Sequence, residues 1–523
     1  MTLDLSLLCI SLIFFLNILQ YHAARILVYM PTASISHQIV TKGLSQELAK
    51  RGHEVVVITT SPLFTNGNSP TNYIEIDVRE AGYAAKKLSF ANTVNGRNDD
   101  VLPQVIQFFH STFSEMFEAE INTDQVQAII NDKDKKFDLL ILEACTKVDL
   151  VFTHIFKAPA ILLSSFGTVE MFTDYTGAAT HPLLFPTVIH QKLHNLNFYE
   201  KVKEVIKHYV FENAVKAVEA EQNDMLRKRF GPDTPPLSEL KKNIAMVFLS
   251  EHHFWDNNRP VPPNMVYIGG IYPQRSTEPL PKDVQDYLNA SANGVIYVSF
   301  GTTIIPSLLP KKVIQTIFKA LSQLPFDVLM KWDTNDLNSI PENIKIFQWV
   351  LQSEVLRHPK IKLFVTQGGM QSTDDAIAAG VPLVGMPMLG DQWYNVEQYF
   401  HLNIGLRVDL ESITEEIFLN AINIVLNDES YRRNVVALRE NLNDQPQTAL
   451  ERAVWWSEYV IRHKGAPSLR APTALISNWE YYELNLVLTL AFGAIIIFIT
   501  LILLRNYWTD LNKSFIIKML HYP

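Results

Sequence analysis

The run Trp349-Val-Leu-Gln352, Leu356-Arg-His358-Pro359, Thr366-Gln367-Gly368-Gly369-Met370-Gln371-Ser372, Gly380-Val-Pro382-Leu-Val-Gly385-Met-Pro387, Gly390-Asp391-Gln392 decides how this chain folds. A short apolar strand, Leu363 to Val365, ends in a pair of glycines, and a helix is predicted from Met370 to Ala379. Two glycines let the backbone approach a ligand closely, and a helix N-terminus offers free N–H groups and a positive dipole end to a phosphate. A second strand, Leu383 to Met386, stops at Pro387, and Asp391 and Gln392 follow at another strand-to-helix junction. Polar side chains at the carboxyl ends of neighbouring parallel strands are where α/β sheets bind ligands. The stretch therefore reads as one half of a Rossmann-like nucleotide site.

The same grammar extends outward. Arg25 to Tyr29 reads as a strand, Pro31 to His37 as a loop, and Ile39, Val40, Leu44 and Leu48 recur at helical spacing until Arg51-Gly52-His53. Glu54 to Thr59 is the next strand, completing a βαβ unit. Phe137 to Leu142, Ala160 to Leu163 and Ala245 to Leu249 continue a doubly wound N-terminal domain. Prolines 260, 262, 263, 273, 279 and 281 then crowd one stretch, which reads as a stiff connector over 259–285. A second strand–helix series starts at Val295 to Phe300 with Gly301-Thr302-Thr303 at its turn, and runs through Val328 to Trp332 and Ile344 to Trp349. Two such domains joined by a linker imply a ligand cleft between them.

Composition narrows the classes. A chain of 523 residues expects two or more domains, and its formal net charge of -9 excludes a basic nucleic-acid face. Of two cysteines, Cys9 lies in an apolar run, Leu5 to Leu19, that reads with Tyr21-His-Ala23-Ala24 as a signal peptide over 1–24; an uncleaved anchor is the alternative. That leaves Cys145 alone, with no disulfide and no cysteine-based metal site. Leu486 to Leu504 carries no charge, and its 19 residues just span a hydrocarbon core of about 30 Å. Arg505, Lys513 and Lys518 follow, so the tail 505–523 is expected on the cytosolic side. Asn289-Ala-Ser291 is a glycosylation sequon on the other side, whereas Asn512-Lys-Ser514 should stay unmodified.

The whole run from Trp349 to Gln392 closely resembles the donor signature of the UDP-glycosyltransferase family, and the wording Gln367-Gly-Gly-Met-Gln-Ser-Thr is most similar to arthropod members. The resemblance covers most of 25–505. It implies two facing Rossmann-like domains of the GT-B type plus one transmembrane helix: an acceptor-binding domain at 25–258, and a UDP-sugar domain with its closing helices at 286–470. It implies hexosyl transfer with inversion from a UDP-sugar, UDP-glucose for an arthropod-like member, to a small lipophilic acceptor. No metal and no cofactor beyond the UDP-sugar co-substrate are expected. Asp132-Lys-Asp134 is a DxD pair, but its Lys-rich turn marks a solvated loop.

Residue roles follow by position. His37 matches the catalytic base, and a His is the natural base near neutral pH if a carboxylate holds its ring. Glu143 stands where the family has the partner Asp; Asp138, at the strand start, is the other candidate and reads as structural. Trp349 should stack on uracil and Gln352 hydrogen-bond uracil or ribose. Asp375 replaces a ribose-binding Glu, and Gln367 replaces a His at the diphosphate. Gln371, Ser372 and the N–H groups of Gly369 and Met370, after Gly368, should cradle phosphate, with Gly301 and Thr302 closing from the other side. Asp391 and Gln392 should bind sugar hydroxyls; for Asp391 an N-cap is the bland alternative. Phe108, Phe109, Phe113, Phe166 and Phe172 suit an apolar acceptor pocket. The departures at Glu143, Gln367 and Asp375 leave open a rival, a lumenal binding or partner subunit with little activity. The resemblance further implies the endoplasmic reticulum membrane, single-pass with lumenal catalytic domains in contact with lipid; homo- or hetero-oligomeric association in the membrane is open.

Overall fold

The computed structural model describes residues 23–64, 67–90, 101–132, 134, 136–271, 279–334 and 340–520. The expected leader, apart from its last two residues, lies outside them, as do residues 272–278 of the Pro-rich stretch and the last three residues of the tail. Contacts divide the chain into a large unit ending at Ala471 and a second unit from Pro472.

The large unit holds two parallel sheets. The first comprises β1 (Arg25–Met30), β2 (Glu54–Thr59), β3 (Tyr73–Asp77), β4 (Leu139–Glu143), β5 (Ala160–Ser164), β6 (Ile244–Leu249) and β7 (Met265–Tyr267), in the order β3-β2-β1-β4-β5-β6-β7. The second comprises β8 (Val295–Ser299), β9 (Asp327–Lys331), β10 (Ile344–Phe347), β11 (Ile361–Thr366), β12 (Leu383–Gly385) and β13 (Gly405–Arg407), in the order β10-β9-β8-β11-β12-β13. The central strands are continuous apolar runs because helices cover both faces of such sheets. Leu139 to Glu143 and Val295 to Ser299 are buried at every position. The helix Ile35–Lys50 turns Val40, Leu44 and Leu48 inward, and Gly52 takes the left-handed turn that follows it at φ +93°. Strand order reverses between β1 and β4 in one sheet and between β8 and β11 in the other. Each reversal opens a crevice at the carboxyl ends of the strands, which is where a ligand enters such sheets. The architecture is α/β of the GT-B type.

Among the elements outside the sequence reading, three shape the first domain. β3 is an edge strand with alternating exposure, so its polar Glu75 and Asp77 masked it. The helix Phe198–Phe230 opens with a capping box between Asn197 and Glu200. Within the stretch read as a connector, Met265–Tyr267 instead pairs parallel with β6, Val247 opposite Met265, so the first part of that stretch completes the N-terminal sheet. The closing helix Ala449–His463 likewise packs Ala453, Val454 and Val460 into the first domain's core, and Arg452 donates to the Tyr267 carbonyl at 2.8 Å.

In the second unit a helix runs from Leu484 to Leu520, continuing past Arg505. Its stretch Leu484–Ile517 contains an 18-residue window with a mean hydropathy of 3.0 and is long and apolar enough to cross a membrane.

Candidate active site

The crevice of the first sheet holds a histidine–carboxylate pair. Parallel pairing sets Tyr29 of β1 opposite Leu142 of β4, so Glu143 ends its strand beside the loop that leaves β1. That loop turns into the helix carrying His37. Nδ1 of His37 lies 2.5 Å from Oε1 of Glu143, and the Thr32 N–H donates to the other carboxylate oxygen at 2.9 Å. Glu143 is fully buried. Burial alone would raise its pKa, but the His37 charge and hydrogen bond, together with Thr32, outweigh it and hold the carboxyl below its ordinary range. The extra methylene of Glu over Asp thus does not prevent the contact. Asp138 sits at the opposite end of β4 and accepts from the Arg25 N–H at 2.8 Å, a structural role. Phe166 meets the imidazole edge-on at 5.9 Å. Cys145 lies beneath, its thiol pKa pushed up by burial and then by Glu143. His37, Glu143 and Cys145 each bring a ligand atom to within 4.8 Å of the others, an N, O, S set that a soft divalent ion could use.

The crevice of the second sheet holds the glycine turns. Gly301, after β8, has φ +72°, and a Cβ there would stand 2.2 Å from Nε2 of Gln367, the residue after β11. Gln367 therefore packs across the switch point onto the β8 turn, its Oε1 accepting from the Thr366 hydroxyl at 3.0 Å. Gly368, at φ +89°, leaves room for Val396, whose Cγ2 would be 2.4 Å from an added Cβ. Gly369 is the N-cap of the helix Met370–Ala379. Gln352 donates to Asp375 at 2.9 Å and to Ser372 at 3.1 Å, so three expected donor ligands form one hydrogen-bonded group. Burial, opposed by Gln352, pushes the Asp375 carboxyl up to about 6.

Asp391 stands at the N-cap position of the helix Gln392–His401, but its side chain caps no backbone N–H. It accepts instead from Asn395 at 2.8 Å. Burial pushes it up to about 6, opposed by Asn395 and by the His37 charge across the cleft. Gln392 turns its oxygen onto the N–H groups of Met388 and Leu389, at 2.9 and 2.8 Å. Gln371 crosses to the first domain and donates to the Ser165 carbonyl at 2.6 Å, so its amide ties the walls together.

Between the two sheets lies a cleft of about 510 Å³. His37 and Asp391 line it, as do Gly301, Thr302, Trp349, Gln352, Gln367, Gly369, Gln371, Ser372, Asp375 and Gln392; Glu143 and Gly368 stand behind the wall. Phe108, Phe109, Phe113 and Phe166 form an aromatic end, whereas Phe172 is fully buried away from it. Asn289 lies elsewhere, exposed on the helix Lys282–Ala290, 3.2 Å from His358.

Two residues that sequence reasoning missed belong to this site. Lys331, at the carboxyl end of β9, donates to the Gly301 carbonyl at 2.9 Å and lies 4.5 Å over the Trp349 ring. Burial brings its ammonium down to about 8. Its place at a strand end beside β8 was the available signal. Asn395 follows Asp391 by four residues, one helical turn on, which was signal enough for a side-chain pair.

Residues 24–515 match the family described as UDP-glucoronosyl and UDP-glucosyl transferase. The chain is 32% identical over 498 residues to the ecdysteroid UDP-glucosyltransferase of Spodoptera littoralis nuclear polyhedrosis virus, covering 91% of this chain and 96% of the viral protein. It is 30% identical over 507 residues to UDP-glucosyltransferase 2 of Dactylopius coccus, covering 94% and 95%. The crystal structure of CalG4, the calicheamicin glycosyltransferase, superposes with a TM-score of 0.55 at 17% identity, over 84% of this chain and 99% of that one.

Proposed function

The chain belongs to the UDP-glucuronosyl and UDP-glucosyl transferase family and is a glycosyltransferase, and from that premise we propose that it moves glucose from UDP-glucose, with inversion, to a hydroxyl of a small lipophilic acceptor. The single observation that carries this reading is the 2.5 Å contact between His37 and Glu143 on the wall of the cleft, facing the Asp391 side. With Nδ1 engaged by the carboxylate, Nε2 is the basic atom of the ring. The acceptor oxygen attacks the anomeric carbon as its proton passes to Nε2. The bond from that carbon to the diphosphate oxygen breaks, and UDP leaves with the electron pair. Glu143 balances the imidazolium, as the carboxylate does in a histidine-based triad.

On the donor side, backbone N–H groups and the positive end of the helix Met370–Ala379 receive the diphosphate. Trp349, more than half exposed, offers an indole face to uracil. Asp391 and Gln392 face the sugar, and the Gln352–Asp375 pair faces the ribose. The relatives named above are glucosyltransferases, and an ecdysteroid, the acceptor class in the viral relatives' name, is the kind of lipophilic molecule the phenylalanine end of the cleft suits. The helix Leu484–Leu520 anchors the protein in the endoplasmic reticulum membrane with the catalytic unit in the lumen, where it is free to associate laterally.

UDP release by membranes carrying the protein tests the reading, with UDP-glucose, UDP-galactose and UDP-glucuronic acid against phenols and lipophilic alcohols. Acceptor-dependent release with UDP-glucose that vanishes in His37→Ala is expected. UDP binding without release from any donor would favour a binding subunit instead.

A further inference from the structure

Asn395 is completely buried, and both ends of its amide are engaged. Nδ2 donates to the Gly368 carbonyl at 2.9 Å and to Asp391 Oδ2 at 2.8 Å. Oδ1 accepts from Trp255 Nε1 at 3.0 Å. One side chain therefore joins the turn before the phosphate helix, the carboxylate at the sugar end and a tryptophan of the other domain.

Trp255 lies outside the cleft lining and is 1% exposed. The turn that presents it follows β6, and it is fixed by the Arg259–Asp256 pair, two hydrogen bonds of 2.9 Å each. Its carbonyl in turn accepts from Tyr394 at 2.8 Å and Gln398 at 2.9 Å, on the same helix as Asn395. The indole is a donor only. It therefore admits only the oxygen end of the Asn395 amide and leaves the two hydrogens for Gly368 and Asp391. With the amide reversed, three acceptors would crowd together and the indole N–H would lose its partner.

We propose that Trp255 and Asn395 are a cross-domain positioning pair that orients Asp391 toward the donor sugar, so that donor affinity depends on the docking of the Trp255 turn onto the helix Gln392–His401. The proposal rests on the reading of Asp391 as a sugar ligand given above. Besides Asn395, the groups that bear on the charge of Asp391 are His37 across the cleft and Tyr399 on its own helix.

The test is steady-state kinetics on the full-length protein in membranes. Trp255→Phe keeps a six-membered aromatic ring and loses the indole N–H with the pyrrole ring that carries it. It should raise the donor KM about tenfold, leave the acceptor KM within about twofold, and move the acid limb of kcat/KM for the donor to higher pH. Asn395→Asp should do the same more strongly, by placing a second acid against Asp391. A general loosening of the domains would lower kcat and thermal stability without moving that limb. Asp391→Asn separates the premises. If it raises the donor KM while Trp255→Phe keeps the wild-type KM and limb, the positioning pair is overturned. If Asp391→Asn leaves the donor KM unchanged, the sugar-ligand reading fails and takes this proposal with it.

Discussion

Glu143 reaches His37 from the neighbouring strand with 2.5 Å between Oε1 and Nδ1, while its second oxygen holds the Thr32 N–H. The contact is built for the longer acid. Glu143→Asp, although it restores the residue the family resemblance leads one to expect, draws the carboxylate back by roughly one bond. It should lower kcat about 10²-fold, the order of loss for a misplacement near 1 Å. Glu143→Gln should cost about 10²–10⁴-fold. Stability follows the same carboxyl. Its folded pKa lies below the ordinary 4.5, so its contribution is present above that value and is lost as pH falls through the depressed one. Urea unfolding between about pH 6 and pH 3 should show this loss in the wild type and a flatter profile in Glu143→Gln.

Asp375 and Asp391 behave oppositely. Burial pushes each up to about 6 from an ordinary 3.8. Their protonated forms favour the folded state, so their stabilising contribution is fully present below the unfolded value and fades as pH rises toward 6. The proposed donor roles favour the reverse, since an ionised carboxylate is the stronger acceptor for sugar and ribose hydroxyls. The kcat/KM for UDP-sugar should therefore fall below about pH 6 with a slope approaching two protons, and Asp375→Asn and Asp391→Asn should each reduce that slope to one.

The close approach of Gly301 to Gln367 predicts a double effect. Gly301→Ala meets both an unfavourable φ of +72° and a clash with Nε2. It should cost roughly 1–3 kcal/mol of stability and weaken UDP binding. Adding Gln367→Ala removes the clash and leaves the backbone strain, so thermal stability should recover only in part. Calorimetric UDP titration with thermal melts of each variant reads both quantities.

Trp349 is more than half exposed and its ring lies under Lys331, so its removal should act mainly on ligand and on that lysine. Trp349→Ala should weaken UDP by the value of one base–aromatic stack, about 1–3 kcal/mol, with little change in melting temperature. Trp349→Phe should lose less. Lys331, which lies over the same ring, should then show a changed titration from its value of about 8.

Topology has its own readout. Asn289 is exposed on the large unit, and Asn512 follows the uncharged run that ends at Leu504. A glycosidase-sensitive mobility shift should disappear in Asn289→Gln and persist in Asn512→Gln.

The central strands and the site glycines were legible because parallel-sheet interiors impose long apolar runs, and because tight approaches such as Gly301 on Gln367 exclude a side chain. His37 and Glu143 were singled out through the family resemblance, which matches the loop after β1 and the end of β4. What escaped was information held by distant partners. β3 hid behind its exposed Glu75 and Asp77, and β7 behind the prolines around it. Trp255 and Asn395 are 140 positions apart, and no local pattern on either announces the bond between them. The destination of the closing helix was equally silent, since an amphipathic stripe says that a helix packs but not against which domain.

That destination has a mechanical consequence. Because the chain leaves the first domain near Ile271 and returns to it with Ala449–His463, the second domain is nested inside the first rather than appended to it. Two covalent crossings work like a door on two pins, permitting opening and closing while resisting the swivel that a single tether would allow. The first half is then no separable module: a chain cut after Ile271 would lack the helix that seals its core.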